Sequence, residues 1–333
     1  MINRLLLYYP SINIPINSWL KKSILYTDKV ASIVPDNMEV SDTMKYLEQN
    51  GQYKPIHVEE FVYGQDWSNF ENIFRNVIES NEFQCLLNDH QKQYTEDYAI
   101  HNNKISIRLI SYLNHRNLTL DKRNNWHKIE KNTALIYMSL LAHYISQNMS
   151  DLVYPSTNLL DYQEIFFQIN KKHIAPRMIF EKCLPTPRDN CDLETIIDFK
   201  EKRKTELLKF RKVLDEYEKK INNSESREQI SYNMVQLSEK IKVEIEDIEK
   251  AMSDHRLSFI KTSLSSLINF KKPGLFVGTA IGSMIDKKPI IGLGVAASIL
   301  ILKDGISSFI NKRNTINKSS YSYVFHAKNK GIL

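Results

Sequence analysis

The stretch Leu5-Leu6-Leu7-Tyr8-Tyr9-Pro10 is apolar or aromatic at every position until a proline ends it. A run this short with no polar alternation is the pattern of a strand buried on both faces, which occurs in parallel sheets covered by helices. Working outward, Asn17 or Ser18 can cap a helix through Asp28, with Trp19, Leu20, Ile24 and Leu25 on one side. Val30 to Val34 then reads as a second strand ended by Pro35, Ser41 caps a second helix that Gly51 stops, and Ile56 to Val62 is a third strand. Strand, helix, strand, helix, strand is the opening of an α/β sheet.

From Trp67 to about Cys183 the pattern is mostly helical. Phe70, Ile73, Phe74, Val77 and Ile78 have helical spacing, as do Ala134, Tyr137, Met138, Leu141 and Tyr144. Ile105 to Leu113 is ambiguous between strand and helix, and the polar insert His115 to Asn132 reads as a surface loop. From Asp192 the regime changes. Leu207, Phe210, Leu214, Tyr217 and Ile221 are spaced alternately by three and four with charged residues between them, which is a heptad seam. Asn222 to Ser226 interrupts it, and Met234, Leu237, Ile241, Ile245, Ile248 and Met252 resume it. This predicts an antiparallel helical hairpin projecting from the body, its first arm about 45 Å long over residues 192 to 221.

Seven of the nine glycines lie after residue 273. Gly274, Gly278 and Gly282 recur every fourth residue, and Gly292 and Gly294 lie in the next apolar run, so these residues predict a second hairpin with a smooth, small-residue face. Both apolar runs are shorter than the roughly 17 to 20 residues a spanning helix needs. From residue 271 onward ten basic residues, Lys287 and Lys288 among them, face only Asp286 and Asp304, so this segment holds an excess of eight positive charges. With a total of +6, the first 270 residues carry −2. A nucleic-acid reader concentrates its basic residues on the folded body, so nucleic acid is disfavoured as a partner. A protein partner, a homo-oligomer or an anionic membrane surface is favoured, with Gly274, Gly278, Gly282, Gly292, Gly294, Lys287 and Lys288 as contact residues. Tyr321 to His326 alternates like a short strand returning to the body.

The expected architecture is therefore an α/β (or α+β), helix-dominated chain: a body over 1–190, a coiled-coil-like hairpin over 191–270, a glycine-rich hairpin over 271–312 and a docking tail over 313–333. Cys85, Cys183 and Cys191 form no CxxC, and no leader-like segment opens the chain, which argues for a cytoplasmic protein, peripheral at the inner membrane if the glycine-rich hairpin engages lipid.

Signals of catalysis are sparse. GxSxG, GxxxxGK[ST] and HExxH are absent, and Gly292-Leu293-Gly294 lacks the third glycine of a dinucleotide loop. The candidates are carboxylates: Asp28 after the first helix, and Glu59 and Glu60 closing the third strand, where α/β folds place ligands. His127 and Glu130 could share a helical face, as could His173 with nearby residues, but none has metal-ligand spacing, so neither metal nor cofactor is expected. Tyr8 and Tyr9 could shape a pocket at the first strand's end, although such aromatics are more often core.

Leu7-Tyr8-Tyr9-Pro10, Trp19-Leu20, Leu25-Tyr26, Asp28 and Ile33-Val34-Pro35 resemble the start of a bacterial family that carries no assigned activity. Leu184-Pro185-Thr186-Pro187 leading through Ile197, Phe199 and Lys200 to Glu206-Leu207-Leu208-Lys209-Phe210-Arg211 is similar to its helical middle, and Tyr321 to Ala327 to its ending. The resemblance implies the architecture and a bacterial origin, brings no catalytic residue, and suggests an association with phage-defence genes. Two functions follow as expectations: an interaction or effector protein acting through its hairpins, or an enzyme using carboxylates of the α/β body. An inert scaffold is the plainest alternative.

Overall fold

The computed structural model describes residues 4–62, 67–81, 83–84, 87, 92–162, 179–224, 226–252 and 319–333. The whole glycine-rich segment, with Gly274, Gly278, Gly282, Lys287, Lys288, Gly292 and Gly294, lies outside the described residues, as do Cys85 and His173.

The elements run β1 (Arg4–Tyr8), α1 (Ser18–Tyr26), β2 (Lys29–Val34), α2 (Asp42–Gln49), β3 (Tyr53–His57), the one-turn α3 (Glu59–Val62), α4 (Trp67–Glu79), β4 (Ala99–His101), α5 (Ile107–His115), β5 (Thr119–Arg123), β6 (Trp126–Ile129), α6 (Lys131–Asn148), β7 (Leu152–Ser156), α7 (Leu193–Lys202), α8 (Lys204–Asn222), α9 (Arg227–Met252) and α10 (Ser322–Asn329). The chain is helix-dominated with an α/β N-terminal body, as the sequence predicts. Four parallel strands form the main sheet in the order β3-β2-β1-β7. A smaller antiparallel sheet, β4-β6-β5, stands beside it.

β1 is an inner strand that feeds both cores. Leu6 and Tyr8 enter one core with α1, α2 and α7 to α10, while Leu5, Leu7 and Tyr9 enter the other with α4, α5 and α6. All five are buried, which is why the run shows no polar alternation. Tyr8 and Tyr9 are thus core side chains of opposite faces, Tyr8 against Trp19 and Tyr9 against Tyr162. Both edge strands carry a proline in mid-strand, Pro55 in β3 and Pro155 in β7. Proline lacks the N–H a further strand would need, so both edges resist sheet extension.

Local chemistry accounts for the boundaries. Asn17 Oδ1 accepts from Leu20 N at 3.1 Å and Ser41 Oγ from Met44 N at 3.4 Å, which caps α1 and α2. Gly51, with φ +67°, ends α2 in a Schellman turn: Gln52 N donates to Leu47 O and Gly51 N to Glu48 O. β3 begins and ends earlier than expected, so Glu59 and Glu60 do not close a strand; they open α3.

Other segments differ from expectation or settle an open one. The insert His115 to Asn132 is a β-hairpin: Asn124 (φ 45°) and Asn125 (φ 68°) join β5 to β6 as a two-residue turn with both residues left-handed, a conformation asparagine tolerates. The ambiguous segment is the helix α5, capped by Ser106. Tyr321 to His326 is not a strand: α10 begins at Ser322, and with Tyr323, Val324 and Phe325 all buried the segment shows no alternation of burial. The first hairpin arm is not one rod, since Arg203 (φ −120°, ψ 25°) divides α7 from α8. The hairpin itself exists, but it does not project. Leu207, Phe210, Leu214, Tyr217 and Ile221 of α8 share one core with α1, Met234, Leu237 and Ile241 of α9, and Tyr323 and Phe325 of α10.

Among the described residues, no helix is long and apolar enough to cross a membrane.

Candidate functional site at the carboxyl edge of the sheet

The parallel register pairs Val34 at the end of β2 with His57 at the end of β3. Two residues past Val34, beyond Pro35, Asp36 returns over this edge, and Asp36 Oδ1 lies 2.9 Å from His57 Nδ1, an ion pair whenever the imidazole is protonated. Glu59 joins them from the first residue of α3. Its Oε1 accepts from the Asp36 backbone N–H at 3.1 Å and from Asn103 Nδ2 at 2.8 Å. One ligand-capable atom from each of Asp36, His57 and Glu59 lies within 4.8 Å of the other two. Asp36 is exposed, while His57 and Glu59 are partly buried.

The small sheet supplies the rest. β4 leads into a 3-10 turn, Asn102–Lys104, whose start is capped by His101 Nδ1 accepting from Asn103 N at 3.3 Å. His101 is held edge-on to Trp126 of β6, with centroids 5.1 Å apart. This turn delivers Asn103 to Glu59 and buries Lys104 behind it. Burial pushes the Lys104 ammonium down to about 7, against the pull of the Glu59 carboxylate. Its carbonyl accepts from Tyr137 Oη at 2.5 Å, which ties the turn to α6. Among the described residues, Glu59 Oε2 and Asn102 Oδ1 are buried side-chain oxygens with no hydrogen-bond partner. An unsatisfied buried carboxylate oxygen is costly, and it gains most from a cation.

The three carboxylates singled out from sequence do not converge. Asp28 sits at the amino end of β2, the opposite end from Glu59. There its Oδ2 accepts from Arg4 N at 2.8 Å and its Oδ1 from Arg211 Nη1 at 2.6 Å. Burial alone would raise its carboxyl, but Arg211, the Arg4 N–H and Lys200 together hold it below its ordinary range. Asp28 is therefore a structural anchor between sheet and helices. Glu60 is exposed and takes no part in the cluster. His127 and Glu130 share no helical face either: His127 lies in β6, and Glu130 caps α6, with Oε2 accepting from Thr133 N at 2.8 Å and Thr133 Oγ1 at 2.7 Å.

Asp36, His57, Asn103 and Lys104 were not singled out from sequence. A strand over Ile56 to Val62 would hold His57 in its interior, whereas the observed end at His57 puts it on the edge where ligands bind. A proline directly after a strand, followed by aspartate, was the available signal. Asn103 and Lys104 come from a separate sheet and had none.

The described cysteines offer no alternative centre. Cys183 and Cys191 are buried free thiols, and burial pushes both above their ordinary range.

No curated protein and no solved structure matches the chain. One family model does, over residues 137–329, from within α6 through β7 and the helical layer to the end of α10; the carboxyl-edge cluster precedes these residues. As that match covers more than half of its length, the chain belongs to the family of unknown function DUF6236.

Proposed function

We propose that the α/β body binds a divalent transition-metal cation at the carboxyl edge, through Asp36, His57 and Glu59, and acts on an oxygen-bearing substrate there. The carrying observation is the approach of their three ligand atoms to within 4.8 Å of one another. One imidazole with two carboxylates suits zinc, manganese or ferrous iron better than calcium or magnesium. The 2.9 Å separation of Asp36 Oδ1 and His57 Nδ1 is close to the roughly 3 Å edge between neighbouring ligands about 2.1 Å from one metal. Three protein ligands leave positions for water or substrate, as in catalytic rather than structural sites. A cation bound there supplies Lewis-acid polarisation. Asn103 holds the Glu59 carboxylate in orientation, and Lys104, with its ammonium near neutrality, can give or take a proton behind it.

Mn²⁺ and Zn²⁺ titrations of dialysed protein by calorimetry test this. One equivalent should bind to the native chain, and binding should fall by at least about tenfold in Glu59→Gln and His57→Ala. If neither ion binds, or if both variants bind like the native protein, the assignment fails.

Association through the helical layer is a second function supported by a separate observation. Tyr232, Val235 and Val243 of α9 are exposed, on the side away from Met234, Leu237, Ile241 and Ile245. Such a stripe suits a homo-oligomer or a protein partner, in keeping with an interaction or effector role, and the glycine-rich segment extends that role by sequence alone. Light scattering on the native chain and on a Tyr232→Glu/Val235→Glu variant checks it. A native monomer that captures no second copy would remove the homo-oligomer.

A further inference from the structure

A second site lies between α4 and α5. An open surface depression of about 540 Å³ is lined by Arg75 of α4 and by the mostly exposed Ile107, Arg108, Ser111, Tyr112, His115 and Arg116 of and just beyond α5. Apart from Ile107, every lining side chain can donate a hydrogen bond, and none is acidic. The spacing explains the convergence: residues 108, 111, 112, 115 and 116 recur by three and four and share one helical face. Tyr112 is the centre of the wall. The Arg75 guanidinium lies over its ring at 4.6 Å from the centroid and the Arg116 guanidinium at 5.1 Å.

Two carboxylates meet this wall and neutralise part of it. Glu79 Oε1 is occupied by Arg116 Nη2 at 2.8 Å and by Tyr112 Oη at 3.0 Å. Glu71 is buried and accepts from Trp67 Nε1 at 3.0 Å and Ser106 Oγ at 2.5 Å, meeting Arg108 only at 3.6 Å. Among the described residues Arg75 has no carboxylate partner. Three guanidinium groups against two carboxylates leave an excess of positive charge on this face, centred on Arg75, beside an open depression of small-ligand size.

We infer that this open depression binds the phosphate of a small phosphate monoester of nucleotide size, with Arg75, Arg108 and His115 on the phosphate and the exposed Ile107 under the organic part. A dianion offers three acceptor oxygens for these donors, and guanidinium groups engage such oxygens in pairs. One helix face closed by a single arginine of α4 is a site for a compact ligand, not a track for a polymer. This site is independent of the cation site and does not rest on it.

Calorimetric titration of metal-free full-length protein with adenosine monophosphate tests the inference, with adenosine and inorganic phosphate as comparison arms. The monophosphate should bind more tightly than adenosine by at least about tenfold, and Arg75→Gln should abolish that advantage. His115→Gln, at an exposed position, should also weaken binding by removing a donor. Circular dichroism should show both variants folded; should Arg75→Gln be unfolded, Arg108→Gln replaces it with the same expectation. Equal affinity for adenosine and its monophosphate, or undiminished binding in the folded variants, overturns the inference. So does tighter binding of a single-stranded oligonucleotide with the steep salt dependence of several phosphate contacts.

Discussion

Arg211 on α8 and Asp28 before β2 join the helical layer to the sheet: guanidinium Nη1 donates to the carboxylate at 2.6 Å, and Nε donates to the Tyr26 carbonyl at 3.0 Å. Lys200 completes the joint, its Nζ donating to Gln52 Oε1 at 2.6 Å and to the Asp28 carbonyl at 2.9 Å. Arg4, whose backbone N–H binds Asp28, also reaches Asp215 of α8 through its side chain. Removing one partner strands a buried charge. Asp28→Ala should therefore lower the stability of the native chain by about 3 kcal/mol in urea titrations. The double variant Asp28→Ala/Arg211→Met should lose clearly less than the sum of the two single losses. A fully stable Asp28→Ala protein would contradict the joint.

Stability should rise with pH through neutrality. Lys104 and Lys200 are both pushed by burial from an ordinary 10.5 down to about 7. Between those values the unfolded chain binds a proton on each lysine that the folded chain has released. Stability is thus greatest towards 10.5, declines as the pH falls to about 7, and levels off below it. The slope is at most about 1.4 kcal/mol per pH unit for each lysine. Buried tyrosines oppose this at the alkaline end. Tyr53 and Tyr154 are pushed by burial up to about 12, so the folded chain keeps phenol protons that the unfolded chain loses near 10. Urea midpoints should peak between about pH 8 and 10, and Lys104→Met should remove about half of the rise. A midpoint that is flat from about pH 6 to 9 would mean that both lysines stay charged in the fold.

The β5–β6 turn has a composition improvable by one atom group. Asn125 holds φ 68°, and glycine reaches that region without a Cβ penalty. Asn125→Gly should stabilise the chain by about 0.5 kcal/mol, whereas Asn125→Ala should cost about 1 kcal/mol. Thermal melts of both variants decide it. Loss in the glycine variant would mean that the asparagine side chain makes its own contribution.

The C-terminal helix belongs to the core. Tyr323 Oη donates to the Leu25 carbonyl at 2.6 Å, and Phe325 is fully buried in the same cluster as Trp19 and Phe210. Tyr323→Phe should cost about 1 kcal/mol. Phe325→Ala should cost about 4 kcal/mol. Unfolding midpoints that ignore Phe325→Ala would contradict the packing of α10 on α1 and α8.

Periodicity sufficed wherever one element's burial is uniform along its length. Leu5 to Tyr9, the alternating three-and-four seam from Leu207 to Ile221, and the capping residues Asn17 and Ser41 could be read directly, because a fully buried strand, a helix seam and a cap each need specific residue types at specific spacing. Those signals determined the α/β opening and the helical hairpin. Where the hairpin lies was decided by tertiary contacts, since a seam records that it is covered but not by what. Here α1, α10 and the sheet cover it, and the Asp28–Arg211–Lys200 joint holds it down. The same limit applies to the carboxyl-edge cluster. Asp36, His57 and Glu59 are brought together by the register of β2 against β3, and Asn103 and Lys104 arrive from a second sheet. Proximity of this kind is a property of strand pairing across the chain, and no local pattern of residues encodes it.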